Sequence, residues 1–116
     1  MPRGGVQNTA HQELVRFCTD YISSRGGWHY KAWGALSRAG CPDLVCCLPT
    51  PAGGRFAGIE VKTGKAILNP AQEREREAIL RSGGIFLTVR RPEDLEAGLL
   101  AAGLVREAIL QPVRGP

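Results

Sequence analysis

Three ionisable residues stand where the hydrophobic pattern of this chain calls for core. Asp43 sits at the mouth of the apolar run CPDLVCC (residues 41–47), and Glu60 and Lys62 interrupt GIEVK (residues 58–62). If the second stretch is a strand, its side chains alternate, so Ile59 and Val61 share one face while Phe56, Glu60 and Lys62 share the other. Glu60 and Lys62 are then about 7 Å apart on one surface. On the preceding run Asp43, Val45 and Cys47 share a face, and a hairpin of suitable register brings Asp43 beside Glu60. Read singly, each feature is ordinary. A Glu–Lys pair on a solvated strand face contributes about 0–1 kcal/mol, and Pro-Asp marks a turn. Read together, two carboxylates on adjacent strands repel unless a cation lies between them. An oxygen-lined site with few protein ligands suits Mg²⁺, which keeps several waters and accepts phosphate oxygens. A lysine two residues from one carboxylate can hold the attacking water or stabilise charge developing on a phosphate. Those are the ingredients of phosphodiester hydrolysis.

The elements that must position these groups follow from the pattern along the chain. From Thr9 a helical period runs through Leu14, Phe17, Cys18, Tyr21 and Ile22, until Arg25-Gly26-Gly27 stops it. Thr9 with Gln12 resembles a capping box. Residues 28–33 (WHYKAW) predict a strand, 37–42 a loop, and 43–48 a buried strand. PTPAGG (49–54) is a turn signal, so RFAGIEVK (55–62) forms a hairpin with the strand before it. Asn69, Pro70 and Gln72 announce a helix with an N-cap, a proline at its first position and a glutamine at its third. IFLTV (85–89) is a strand and residues 91–103 a Pro-initiated helix. Residues 1–8 and 111–116 are expected to be loose. The order describes one mixed α/β domain over residues 1–116.

Composition sets the remaining bounds. The 116 residues are 43% hydrophobic and 22% charged, which is a globular balance, and the net charge of +4 favours a polyanionic partner. No apolar stretch reaches the roughly 20 residues of a membrane span, and no signal-peptide core begins the chain, so a cytoplasmic location is expected. Cys18, Cys41, Cys46 and Cys47 include no C-x-x-C pair, and His11 and His29 are not spaced as zinc partners. The cysteines are expected to be reduced, packing as small hydrophobes.

Gly40-Cys41-Pro42-Asp43 followed by Gly58-Ile59-Glu60-Val61-Lys62 resembles the bipartite signature of the PD-(D/E)xK nuclease superfamily, and the context resembles its VRR-NUC branch. Glu13 in the first helix, LNPAQ (68–72) after the E-V-K strand and GGIFLTVR (83–90) fill the corresponding places, so the similarity spans residues 10–95. The resemblance implies a restriction-endonuclease-like core, a mixed sheet of about four strands flanked by helices. It implies Mg²⁺ or Mn²⁺ held by Asp43, Glu60, the Val61 carbonyl and Glu13, with Lys62 beside the attacking water. By the same analogy the substrate is branched or flapped DNA, cut during recombination or repair in a bacterial or phage-infected cell. Glu13 reads equally as a surface residue of the helix's first turn. Gln72 reads either as the capping partner of Asn69 or as a group facing the site. Arg38 and Lys65, near one end of the sheet, and Arg90-Arg91 after the fourth strand are candidates for DNA phosphates. Trp28, Tyr30 and Trp33 are core residues or base-stacking ones. A homodimer is expected, because one site cuts one strand at a time and residues 95–110 offer Leu95, Leu99, Ala102, Leu104, Val105 and Ile109 as apolar surface. The competing readings are a catalytically silent nucleic-acid-binding module of the same fold and an unrelated RNA- or protein-binding domain.

Overall fold

The structure is a computed structural model that describes residues 9–32 and 38–103. Trp33, Leu104, Val105, Ile109 and both expected loose ends lie outside the described residues. In chain order the elements are α1 (Thr9–Ser24), β1 (Trp28–Lys31), β2 (Leu44–Thr50), β3 (Gly53–Val61), α2 (Pro70–Arg81), β4 (Ile85–Val89) and α3 (Pro92–Ala101). The four strands form one sheet in the order β1-β2-β3-β4. β1 with β2 and β2 with β3 run antiparallel, and β3 with β4 parallel, so α2 is the crossover a parallel pair requires.

Period-2 alternation sorts the sheet into two faces. Leu44, Cys46 and Leu48 of β2, Ala57, Ile59 and Val61 of β3, and Ile85, Leu87 and Val89 of β4 are all buried on one face. Leu14, Val15, Cys18 and Ile22 of α1 and Leu95 and Leu99 of α3 belong to the same core. Burial pushes the Cys18 and Cys46 thiols up to about 12, so both are inert neutral hydrophobes. No disulfide joins the cysteines, but only Cys18 and Cys46 pack as small hydrophobes; Cys41 is half-buried and Cys47 exposed. The opposite face carries Phe56, Gly58 and Glu60 and is covered by α2, whose Ile79 lies against Gly58. With both faces covered, β3 is buried continuously from Ala57 to Val61.

Two expectations are corrected here. The buried stripe of α1 is centred on Val15, Cys18, Thr19 and Ile22, whereas Phe17 is 37% exposed. Thr19 is tolerated in that stripe because its hydroxyl donates to the Arg16 carbonyl at 3.0 Å. The apolar surface expected to join two copies is partly core: Leu95 and Leu99 are 0% and 2% exposed, and Ala102 packs against the core they belong to. A short domain covers its sheet with the apolar residues nearest to hand.

Candidate active site

The β2–β3 register pairs Leu44 with Ile59, which sets Asp43, one residue before the strand, across from Glu60. Asp43 is pinned at both its backbone and its side chain. Its carbonyl accepts from the Ala32 N–H at 3.1 Å, and its Oδ2 accepts from the Val61 N–H at 2.7 Å. The loop that delivers it is fitted sterically. Gly40 has φ 82°, and a Cβ there would collide with the Ala71 carbonyl at the start of α2. A Cβ on Gly58 would lie 2.9 Å from Pro42 Cγ and 3.0 Å from Ile79 Cδ1. Both glycines of the bipartite motif are therefore close-approach positions.

Glu60 is 4% exposed. Its Oε2 accepts from Gln72 Nε2 at 2.9 Å and lies 3.8 Å from Lys62 Nζ, while its Oε1 is buried with no hydrogen-bond partner among the described residues. Burial first, and the Asp43 carboxylate second, push the Glu60 carboxyl up to about 7, against the opposing pull of Lys62. Lys62 continues the parallel ladder by donating its N–H to the Val89 carbonyl at 3.0 Å, and its side chain is 16% exposed.

Gln72 fulfils both of its readings. Its Oε1 accepts from the Asn69 N–H and its N–H donates to Asn69 Oδ1, each at 2.9 Å, completing a capping box. The Nε2 left over is the donor to Glu60. The cap signal read from the sequence thus also aims a side chain at the site.

Among the remaining candidates, Glu13 is exposed, and the structure gives it no hydrogen bond or ion pair with Asp43 or Glu60. It follows Phe17 outward, because residues four apart share a helix side. The α1 residue that reaches the site is His11, about 200° around the helix from Glu13, with Nε2 3.4 Å from Asp43 Oδ2. The sequence carried one signal for it: His11, Val15, Cys18 and Ile22 lie on one helical line, so a histidine extends the buried stripe. Arg38 is engaged with Glu75 at 2.9 Å, which raises its pKa first by the hydrogen bond and then by the charge. Lys65, Arg90 and Arg91 are exposed, and Arg91 lies 3.9 Å from Asp94. Trp28 and Tyr30 are exposed rather than core, with parallel rings 6.3 Å apart.

The donor set fits a hard divalent ion. An orphaned buried carboxylate oxygen beside a second carboxylate is a costly arrangement that a cation relieves. Among the described residues no three His, Cys, Asp or Glu side chains form a ready-made cage. An ion here would keep several waters, the habit of Mg²⁺ rather than of structural zinc.

No protein-family model matches the sequence, and no curated protein is similar to it. A solved structure described as "VRR_NUC domain" superposes with a TM-score of 0.63 at 23% identity, covering 78% of this chain and 94% of that one. The four-stranded mixed sheet with its three flanking helices is the restriction-endonuclease-like fold of that VRR-NUC domain.

Proposed function

We propose that the chain is a VRR-NUC-type nuclease that hydrolyses DNA phosphodiester bonds with Mg²⁺ or Mn²⁺. The observation that carries this reading is the Asp43–Glu60 pair: two adjacent carboxylates, one with a buried oxygen that has no hydrogen-bond partner among the described residues. Asp43, Glu60 and the Val61 carbonyl would hold the ion, which polarises a phosphoryl oxygen and lowers the pKa of water when bound. The protein's own residues do the rest. Val61 N–H fixes the orientation of Asp43, and Gln72 fixes that of Glu60. Lys62, anchored through its backbone to β4, keeps its ammonium beside Glu60 where charge develops on the phosphate. Lys65 after β3 and Arg90 and Arg91 after β4 leave parallel neighbouring strands at the same end of the sheet as Asp43. They supply contacts to a DNA backbone.

Branched or flapped DNA is the proposed substrate. Incubating the purified chain with flap, junction, duplex and single-stranded DNA in Mg²⁺ or Mn²⁺ tests this. Cleavage of the branched forms, lost in chelator and in Asp43→Asn, is expected; no metal-dependent cleavage of any DNA refutes the reading. Paired cuts on a junction take two copies of the chain, which sedimentation equilibrium with and without junction DNA detects.

A further inference from the structure

We infer that His11 is a nitrogen ligand of the ion held at Asp43, and that it shifts the site's preference from Mg²⁺ towards first-row transition ions such as Mn²⁺. The inference rests on the proposed reading of Asp43 and Glu60 as the ion's carboxylates.

The geometry has three parts. First, α1 directs His11 inward. The residues around it (Thr9, Ala10, Gln12 and Glu13) are exposed, whereas His11 is half-buried and in line with the core residues Val15, Cys18 and Ile22. A solvated histidine at a helix end has no reason to take that line. Second, its Nε2 stands 3.4 Å from Asp43 Oδ2. A charge-assisted N–H···O bond closes to about 2.7–2.9 Å, and Oδ2 already accepts such a bond from Val61 at 2.7 Å. The imidazole stands within ion-pair reach of the carboxylate, farther off than a charge-assisted hydrogen bond. Third, two ligands on one edge of an octahedron with bonds near 2.1 Å are separated by about 3 Å. The observed separation lies a few tenths of an ångström beyond that edge, so an ion draws the two donors together with little movement.

Chemistry then sets the preference. Mg²⁺ takes oxygen ligands and pays heavily for dehydration, whereas imidazole nitrogen binds transition ions in the order Mn²⁺ < Co²⁺ < Ni²⁺. A site of two carboxylates and waters alone has a weaker bias of this kind. Replacing one water by an imidazole adds a donor that Mg²⁺ uses poorly.

Electron spin-echo spectroscopy of Mn²⁺ added to the intact protein tests the inference without DNA or turnover. Modulation from a directly coordinated ¹⁴N is expected in the parent chain and is lost in His11→Ala. Calorimetric titration should show His11→Ala weakening Mn²⁺ binding about tenfold or more, while Mg²⁺ binding changes far less. His11→Glu should instead tighten Mg²⁺ relative to Mn²⁺. Mn²⁺ bound in an Asp43-dependent way, with no ¹⁴N modulation and equal affinity in parent and His11→Ala, overturns the role of His11 and leaves the nuclease reading intact. Mn²⁺ binding unchanged by Asp43→Asn overturns both.

Discussion

Replacing Glu60 by glutamine should stabilise the metal-free protein. Burial and the neighbouring Asp43 carboxylate raise the Glu60 carboxyl from an ordinary 4.5 to about 7. In the window between those values the folded protein holds a proton that the unfolded chain has released. The parent therefore loses stability as pH rises from 4.5 to 7, and above 7 the whole cost of a buried, ionised Glu60 is present. At about 1.4 kcal/mol per pH unit this amounts to roughly 3 kcal/mol. Glu60→Gln removes that charge while keeping an amide oxygen for Gln72 Nε2 to donate to. The pull of Lys62, 3.8 Å away, is already contained in that raised carboxyl and adds no separate offset. The expectation at pH 8 in chelator is a gain of about 3 kcal/mol, or a rise in Tm of about 12 °C for a domain of this size. Near pH 4.5 the two proteins should be equally stable. Urea unfolding across pH 4.5–8.5, with and without Mn²⁺, measures both points. Saturating Mn²⁺ should stabilise the parent and not the variant, reversing the order. A variant less stable than the parent at pH 8 in chelator would show that Glu60 is already compensated within the protein, and the argument for a cation would collapse.

Other outcomes follow from the same geometry. If Glu60 binds the proposed ion in its ionised form, Mn²⁺ affinity measured by calorimetry should climb with pH and level off above about 7; a flat profile removes Glu60 from the proposed ligand set. Lys62→Ala should keep metal affinity within a few-fold and lower the rate of cleavage by about 10²–10³. Parent-like turnover at matched metal would reassign that lysine to structure. Leu99→Ala should cost about 2–5 kcal/mol in chemical unfolding, since Leu99 is 2% exposed in the core. A neutral effect on stability would mean that α3 does not pack as described.

The parts of the site that the sequence declares are those written by local rules. Asn69, Pro70 and Gln72 specify a helix start through bonds within three residues, and alternation in RFAGIEVK puts Glu60 and Lys62 on one face whatever the sheet does. The bipartite motif supplies Asp43 because a short hairpin leaves few registers. What stayed hidden depends on the angle at which α1 crosses the sheet. Phe17 looked like core by hydrophobicity, and that choice turned the assumed buried face towards Glu13, whereas Tyr21 does pack against the core. The observed buried face centres on small residues, Val15, Cys18 and Thr19, and it brings His11 inward. The pairing of Arg38 with Glu75 is also non-local, joining a loop to a helix 37 residues further on. Leu95 and Leu99 could be assigned to core or interface only once the sheet's uncovered area was known.

The interlock of Gly40, Pro42 and Gly58 determines how the site responds to its surroundings. The loop bearing Asp43 has no room for a Cβ where it meets α2, and β3 has none where it meets Pro42. The spacing between the elements that carry the two carboxylates is thus held by excluded volume as well as by hydrogen bonds. Salt screens charges and pH titrates them, but neither changes a van der Waals radius. High ionic strength should therefore weaken the proposed hold on DNA while the elements carrying Asp43 and Glu60 keep their separation, so that affinity and site geometry become separately adjustable quantities.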